Sequence, residues 1–553
     1  MIKIYLSLIL TILYYKVNAQ LPAFPEAQGG GARSLGGRGG RIIEVINLDD
    51  SGPGSLRAAV EATGPRTIIF KISGTIKLNA QLKISKPYIT IAGQSAPGGG
   101  ILISGENIKS SPVGIATHDV VMRYLKIRKG INPSPFEQDA TSIGEGESYN
   151  IILDHCSFSW ANDETLSIWA DSGENHNMTF SYNIISEGLN HDNHSTGLIV
   201  GSNKICEQID KITVHHNLFM HNRNRNPYMK VKDQEVINNI IYNYSWLGTQ
   251  IAGGVKVDII GNIYKAGPDN TTRSEIVCRI ETTGEYVNCN EGPTGSPSIF
   301  IKGNIGPHQS DPSSDQWNTL MEKTGEGNGW GWPGNPPKLT RLNLEFSRPA
   351  AMVNYSDFPV KISEVSVLEN LLLAEAGASH RIDELGNWIP NRDAVDSRLI
   401  TEYRDGKGKI IKDEKEVGGF PLIASGRAYL DKDKDGMSDV WEEKYCFNPT
   451  DPDDGNEDAD GDGFTNVEEF LNGTTPNLCL VTSIDNRHLS NPPTFHPNPS
   501  KTKLLLNGDV SENSYYEITT IDGRLIQSGD AGEHAITLEN FAPGLYFIRI
   551  KTD

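Results

Sequence analysis

The feature that most constrains the fold is an asparagine that recurs after short apolar segments. It stands at Asn183, Asn217, Asn239, Asn262 and Asn304, with successive spacings of 34, 22, 23 and 42 residues. A minimum near 22 residues, lengthened by irregular insertions, is typical of one coil of a parallel β-helix. In such a fold, asparagines of successive coils lie above one another and can hydrogen-bond from coil to coil.

Short strands rich in Ile and Val occupy residues 67 to about 305. We therefore predict an all-β domain whose coils stack into a tube, with apolar side chains inside and insertions emerging as loops that build the binding face. The alternative architecture is an antiparallel β-sandwich. A sandwich should show more even strand spacing and two-residue hairpin turns, and this sequence shows neither.

The remaining chain divides by composition. Residues 1–19 carry Lys3, an apolar run and Ala19 at a cleavage position, which is typical of a signal peptide. The apolar run is too short to cross a bilayer. We predict a β-helix domain over 20–427, a calcium-binding segment over 428–475, a linker over 476–494 and a small β-sandwich-like unit over 495–553.

Most of the net charge of −20 lies in one acidic segment, residues 431–469, which holds 15 acidic and 3 basic residues. The rest of the chain is only mildly acidic and is not repelled from an acidic polymer. Two stretches of the segment carry oxygen ligands at calcium-loop positions 1, 3, 5, 9 and 12, with Gly at position 6. The predicted ligands are Asp431, Asp433, Asp435, Asp439 and Glu442 in the first loop, and Asp458, Asp460, Asp462, Asn466 and Glu469 in the second. Both loops resemble dockerin or thrombospondin repeats and predict a rigid spacer.

The glycine-rich residues 25–40 lack the G-x-x-x-x-G-K-[ST] pattern, which excludes a nucleotide-binding loop. A short helix is predicted over Ser55–Ala62, with Ser55 as its N-cap. Disulfides are permitted in an exported chain with six cysteines. Proximity favours the pairs Cys278–Cys289 and Cys446–Cys479, and Cys156 is interpreted as a buried thiol.

A basic segment follows the strand that begins at Ile212. Arg223, Arg225 and Lys230 lie where Pro227 forces the chain out of the sheet. Three cations at a strand exit can dock a polyanion, although a solvated basic turn is the alternative.

The pattern Arg225-x-Pro227-x-x-Lys230 resembles the Arg-x-Pro-x-x-Arg signature of family 1 polysaccharide lyases, the pectate lyases. The segment 150–156 resembles their Val-Trp-Ile-Asp-His motif, and residues 50–57 resemble their amino-terminal region. The resemblance spans roughly residues 24–420. It implies a right-handed parallel β-helix of the pectin-lyase type. It also implies calcium-assisted β-elimination of α-1,4-polygalacturonate, which gives 4,5-unsaturated oligogalacturonates.

The same resemblance implies roles for individual residues. Arg225 would be the base and Lys230 would stabilise the developing anion. Catalytic Ca²⁺ would be held by Asp139, Asp163 and Glu164. Contacts to the substrate are expected from Arg223, His221 and His194.

Two departures from the family pattern concern this site. Ser167 stands where an acidic ligand is usual, and residues 190–196 lack the Lys that grips substrate carboxylate. These departures keep open a non-catalytic glycan-binding β-helix, or a lyase for another polyuronate. A hydrolase would need paired acids flanking a glycosidic bond, and no such motif is present. His215 and His216, as strand neighbours, should point to opposite faces and so cannot chelate one ion.

The C-terminal residues 495–553 resemble the sorting domain of the type IX secretion system, with a carbohydrate-binding sandwich as the alternative. We therefore expect a secreted or cell-surface monomer without a transmembrane segment. Its expected partners are the type IX machinery and an acidic polysaccharide, not a nucleic acid.

Overall fold

The computed structural model describes most of the chain. Its described residues are 20–131, 138–144, 146–191, 193–270, 274–279, 289, 292–317, 320–324, 339–341, 356–476, 494–496, 502–507, 514–520, 524–531, 535–538, 541 and 546–552. The predicted signal peptide over 1–19 and nearly all of the predicted linker lie outside these residues.

Three long sheets, named A, B and C here, run along the molecule with ten, eight and ten strands. Sheet A contains Arg41–Val45, Arg66–Phe70, Ile89–Ala92, Val120–Arg123, Ser148–Asp154, Asn175–Ser181, Asp210–His215, Asp233–Ile237, Lys256–Ile260 and Ser298–Lys302. Sheet B contains Gly74–Lys77, Ile101–Ser104, Lys126–Arg128, Ser157–Ser159, Ile184–Ser186, Leu218–Met220, Ile240–Tyr242 and Ile263–Lys265. Sheet C contains Leu82–Ile84, Val113–Ile115, Thr141–Ile143, Glu164–Trp169, Thr196–Gly201, Tyr228–Met229, Leu247–Ala252, Ser274–Arg279, Met321–Thr324 and Leu339–Arg341.

From Arg66–Phe70 to Ser274–Arg279, each coil of the tube contributes one strand to sheets A, B and C in turn. Neighbouring strands pair in parallel, except for the last pair of sheet C, which is antiparallel. Apolar side chains on alternate positions point inward and form one continuous core, as Met178 and Phe180 of one coil and Ile212 and Val214 of the next show. The predicted right-handed parallel β-helix is confirmed.

The asparagine ladder is also confirmed. Asn183 donates to Asn217 (3.0 Å), Asn217 to Asn239 (2.9 Å), Asn239 to Asn262 (3.0 Å) and Asn262 to Asn304 (2.8 Å). Each of these side chains is fully buried and lies just after the turn from sheet A to sheet B. The ladder therefore satisfies polar groups at a point where the backbone leaves one sheet for the next.

A stack of aromatic rings follows the turns from sheet A to sheet B, and two of its members, Tyr182 and His216, directly precede ladder asparagines. Tyr124, His155, Tyr182 and His216 all have positive φ, between 50° and 55°, and neighbouring rings stack with centroids 4.7 to 4.9 Å apart. Because His216 leaves the strand in this left-handed conformation, its ring turns back toward His215, and their Nδ1 atoms lie 2.9 Å apart. The prediction that these two histidines face opposite sides is therefore wrong.

The glycine-rich N-terminal segment crosses the outer face of sheet A. The amides of Gly30 and Gly31 donate to Thr213 Oγ1 (3.2 Å) and Thr179 Oγ1 (2.9 Å). A Cβ on Gly31 would lie 2.1 Å from the carbonyl oxygen of Ile151. Glycine is required here for close backbone approach.

Five α-helices lie in the described chain: α1 Leu56–Glu61, α2 Val365–Glu375, α3 Ala394–Asp405, α4 Asp439–Tyr445 and α5 Asn466–Asn472. Short 3₁₀ turns occur at Gly30–Arg33, Gly93–Ser95, Glu414–Val417 and Asp454–Asn456, and the strands His380–Ile382 and Trp388–Pro390 form a hairpin. Ser55 caps α1 as predicted, since its side chain accepts from the Ala58 amide. Helices α2 and α3 pack their apolar faces on sheet B. None of the helices in the described chain is long and apolar enough to span a membrane.

The predicted calcium segment packs against the first coils of the tube instead of extending from it as a spacer. Trp441 and Phe470 share an apolar cluster with Ile69 of sheet A. Arg38 Nε lies 2.9 Å from Glu468 Oε1. This segment therefore belongs to the same compact unit as the tube.

The disulfide pattern differs from the prediction. Cys289 pairs with Cys206, with Cα atoms 5.3 Å apart, whereas Cys278 is buried and does not take part in this disulfide. Cys278 stands on sheet C beside Ile251 and points into the core, so its nearness in sequence to Cys289 does not bring the sulfurs together. Cys156 is buried and free, as predicted, and Cys446 is disulfide-bonded. Its predicted partner, Cys479, lies outside the described residues.

Residues 479–553 form a second compact unit. Two three-stranded antiparallel sheets make up its described part. One contains Thr494–His496, Lys503–Asn507 and Ala535–Thr537, and the other Ser514–Thr520, Leu525–Asp530 and Tyr546–Thr552.

Candidate functional site

Five of the predicted site residues lie at the entrances to four neighbouring strands of sheet C. Asp139 precedes the strand Thr141–Ile143, and Asp163 and Glu164 stand at the start of the next. His194 and Arg225 stand before the two strands that follow. Because parallel strands of successive coils stack in register, these residues converge although up to 86 positions separate them in the chain.

Asp139 lies at the centre of this cluster. The Glu164 amide donates to its Oδ1 (3.2 Å) and the Ser167 hydroxyl donates to its Oδ2. Burial and then the charge of Asp163 raise the pKa of Asp139 to about 8, against the opposing effects of Ser167 and Arg225. Burial of this carboxyl beside a second acid therefore disfavours its charged form when no cation is bound.

Arg225 is held firmly beside the acids. Its guanidinium pairs with the Glu164 carboxylate, its amide donates to Gln250 Oε1 (2.8 Å), and its carbonyl accepts from the Leu198 amide (2.7 Å). The residue adopts a left-handed φ of 58°. His194 Nε2 lies 3.3 Å from Asp163 Oδ1.

The donor set of this cluster fits a hard divalent cation. Ligand atoms of Asp163, Glu164 and His194 lie within 4.8 Å of one another, with Asp139 adjacent to them. Carboxylate oxygens from successive coils are ligands that Ca²⁺ prefers. Ser167 contributes a hydroxyl to Asp139 in place of a fourth carboxylate.

Lys230 lies on the same outer face of sheet C, against an aromatic surface that the sequence did not predict. Its Nζ is 5.0 Å from the Trp169 ring centroid and 5.5 Å from that of Tyr228. A Cβ at Gly201 would meet the Trp169 ring at 2.7 Å, so this glycine leaves room for the indole. Strand alternation could have identified Trp169, because it stands two positions after Ser167 and so faces the same side.

The other two predicted substrate contacts, Arg223 and His221, lie in different environments. Arg223 donates to the Asn193 carbonyl (2.8 Å) at the rim of the cluster and lies 4.7 Å from the Trp246 ring centroid, and burial lowers its pKa. His221 is fully buried, with Nδ1 2.9 Å from Asn243 Nδ2 and Nε2 3.2 Å from Glu402. That position, beneath α3 and the chain after it, leaves no surface for the substrate contact that the sequence predicted.

The two predicted calcium loops form a second acidic region. Loop 1 (residues 431–442) brings Asp431, Asp433 and Asp435 together, and loop 2 (residues 458–469) brings together Asp458, Asp460 and Asp462. Burial and neighbouring carboxylates raise the pKa values of Asp435, Glu442 and Glu469 to about 8.

The side chains at position nine of the two loops, Asp439 and Asn466, accept hydrogen bonds from backbone amides of their own loops. Asp439 Oδ1 accepts from the Lys432 amide (2.9 Å), and Asn466 Oδ1 accepts from the Ala459 amide (3.2 Å). Both side chains thus close their own loops through position two. Asp454, which lies between the loops, joins Asp435 and Glu442 in a further cluster that the twelve-residue spacing does not include.

The chain is similar to proteins from several fungi. A protein of Aspergillus flavus named "Probable pectate lyase C" is 32% identical over 482 residues, which cover 85% of this chain and 98% of the relative. The Aspergillus oryzae protein of the same name is 31% identical over the same length and coverage. A solved structure described as "Pectate lyase bound to hexasaccharide" is 14% identical, covers 65% of this chain and 98% of its own, and has a TM-score of 0.42. Residues 494–553 match the model of the "Secretion system C-terminal sorting domain".

Proposed function

Since this chain belongs to the pectate lyase family and is a polysaccharide lyase, we propose that it cleaves α-1,4-linked polygalacturonate by calcium-assisted β-elimination. The observation that carries the proposal is the pairing of Arg225 with Glu164, beside Asp139 and Asp163, on the outer face of sheet C. A polymer can lie along that face because the strands run across the tube and repeat from coil to coil.

In β-elimination the C5–H and C4–O bonds of a galacturonate break, and a C4=C5 double bond forms. The C5 proton is weakly acidic, so negative charge must be stabilised as it grows into the neighbouring carboxylate. Arg225, in its neutral form, accepts this proton, and the departing C4 oxygen takes a proton from solvent. The product carries a 4,5-unsaturated end.

Asp139, Asp163 and Glu164 are the residues that would hold Ca²⁺, which supplies Lewis acidity toward the substrate carboxylate when bound. His194 contacts Asp163 and supports the orientation of that carboxylate. Lys230 offers a second positive charge on the same face, and Arg223 a third at its rim. Three basic side chains on one face favour a polyanionic substrate.

The catalytic acids can be tested by removing two of them together. Asp139→Ala with Asp163→Ala should abolish release of unsaturated product from polygalacturonate, because both carboxylates of the cluster centre are lost. The circular dichroism spectrum should stay that of the parent, since neither residue points into the core. Parent-like activity of the double variant would contradict the proposal.

The ends of the chain support a proposal about export. The sorting domain implies secretion or attachment to the cell surface. We propose that the type IX machinery reads residues 494–553 and that residues 1–19 are removed as a signal peptide. We also propose that both calcium loops bind Ca²⁺ and contribute rigidity.

A further inference from the structure

Loop 1 contains a buried carboxylate for which the described chain provides no hydrogen bond. Glu442 is 0% exposed, and neither of its carboxylate oxygens has a hydrogen-bond partner among the described residues. Two lysines form ion pairs with acids of this loop other than Glu442: Lys71 of the tube pairs with Asp431, and Lys432 within the loop pairs with Asp439. A buried carboxylate costs several kcal/mol unless a cation or hydrogen-bond donors compensate it, so Glu442 points to a bound cation.

A second buried carboxylate, that of Asp454, lies close to Glu442 although Asp454 is outside loop 1. Ligand atoms of Asp454, Asp435 and Glu442 lie within 4.8 Å of one another. Asp454 is 8% exposed, and its Oδ1 has no hydrogen bond within the described part of the chain. A Cβ on the next residue, Gly455, would lie 2.4 Å from Asp435 Oδ2, so the turn at Asp454–Asn456 abuts loop 1.

Loop 2 holds Asp454 in place. Asn466 Nδ2 donates to the Asp454 carbonyl (2.7 Å), while Asn466 Oδ1 accepts from the Ala459 amide (3.2 Å). One side chain therefore connects the backbone of loop 2 to the residue that completes the cluster of loop 1. The conformation of loop 2 then decides where Asp454 lies.

Loop 1 is also a docking element of the tube. Lys71, which follows a strand of sheet A, has its Nζ 2.9 Å from Asp431 Oδ2 and 3.7 Å from the centroid of the Tyr429 ring. Gln94 donates to the Leu471 carbonyl (3.2 Å). Contacts to the first coils thus begin at position one of loop 1 and continue through α5.

We propose that loop 1 and Asp454 together form a buried Ca²⁺ site, that loop 2 positions Asp454, and that the bound cation holds residues 428–475 against the first coils of the tube. Carboxylate oxygens alone converge there, which is the donor set of a hard divalent cation. The inference goes beyond the lyase reaction, since none of these residues belongs to the cluster at sheet C.

Calcium binding by the full chain tests the ligand role of Asp454. After chelator treatment, Ca²⁺ is titrated by calorimetry into the parent, Asp454→Asn and the matched control Asp453→Asn, whose side chain is exposed. Asp454→Asn should weaken one site by about tenfold or more, which is about 1.4 kcal/mol, and Asp453→Asn should leave all sites unchanged. Glu442→Gln should weaken the same site. Parent-like titration of both Asp454→Asn and Glu442→Gln would overturn the proposed site.

Limited proteolysis tests the docking role. Cleavage within residues 423–476 of the parent should rise when Ca²⁺ is removed. For Asp454→Asn it should already be high at a Ca²⁺ concentration that protects the parent and Asp453→Asn. Lyase activity of Asp454→Asn at saturating Ca²⁺ should stay at the parent level, which separates this site from the one at sheet C. Equal cleavage of the parent with and without Ca²⁺ would overturn the docking role.

Discussion

Arg225 presents a chemical difficulty at the scale of single residues. A guanidinium has an ordinary pKa above 12, and its partner Glu164 favours the charged form further. A neutral Arg225 therefore requires that the carboxylate of Glu164 be engaged by something other than this guanidinium. Arg223 stands nearby with a pKa that burial lowers, and it adds positive charge at the rim of the same cluster.

Replacing Arg225 tests its role as a base. We expect Arg225→Lys to lower kcat on polygalacturonate by about 10²- to 10⁴-fold with little change in KM, because an ammonium cannot place its nitrogen where the guanidinium lies. The matched change Arg223→Lys should cost far less. Near-parent kcat for Arg225→Lys would show that the base is another group.

His216 should make stability depend on pH. Burial and the charge of its neighbour His215 lower the pKa of His216 to about 2, from an ordinary value of 6.5. The unfolded chain therefore binds a proton below pH 6.5 that the folded chain does not, so stability is lost as pH falls.

The measurement is denaturant unfolding at pH 7 and pH 5, under saturating Ca²⁺. Over this interval the parent should lose about 2 kcal/mol more free energy of unfolding than His216→Phe, which keeps an aromatic ring in the stack. An identical pH dependence of the two proteins would contradict the assignment.

At the scale of elements, the turn from sheet A to sheet B organises the tube. Each turn of the ladder carries a residue with positive φ followed by a ladder asparagine. At Tyr182 and His216 that residue is also aromatic, so ring stacking and side-chain hydrogen bonds reinforce the same register there. Slippage of one strand would break both at once. The ladder should therefore be sensitive to single changes.

Asn239→Ala should lower the free energy of unfolding by about 3 kcal/mol, because its buried partners Asn217 and Asn262 lose hydrogen bonds. Asn203→Ala is the control, since Asn203 is exposed and its side-chain amide donates to Asp171 at the surface; it should cost under about 1 kcal/mol. Chemical denaturation of both variants measures the difference. Equal effects would mean that the ladder adds little stability.

Much of this fold could be predicted from the sequence, because the asparagine spacing reflects the coil directly. The prediction that Pro227 takes the chain out of the sheet is wrong, since the strand Tyr228–Met229 of sheet C begins at the next residue. Other features depend on which coils meet in space. Nearness in sequence predicted Cys278 as the disulfide partner of Cys289. The stacking of coils instead brings Cys206 next to Cys289, and these two form the disulfide. His221 is covered by a tail about 180 residues later in the chain, which no local pattern reveals. Asp454 lies outside the twelve-residue calcium pattern for the same reason.

At the scale of the whole molecule, residues 1–478 and 479–553 form separate compact units. The proposed catalytic cluster lies entirely in the first unit, and the sorting domain lies in the second. Catalysis and export should therefore be separable by truncation.

A chain that ends at residue 493 should keep the parent's kcat on polygalacturonate and the main thermal transition, and it retains Cys479 as a candidate partner for Cys446. In the native host it should lose export or surface attachment, which fractionation with an antibody to the tube measures. Loss of activity in the purified truncated protein would show that the second unit takes part in the reaction.

The central claim is that sheet C carries a calcium-assisted lyase site, and the most direct test is the ultraviolet absorbance of unsaturated ends released from polygalacturonate. We predict that absorbance rises with purified protein and Ca²⁺, stops when a chelator is added and resumes when Ca²⁺ is restored. Reducing ends released without the absorbance of a 4,5-double bond, or an unchanged rate in excess chelator, would contradict the account.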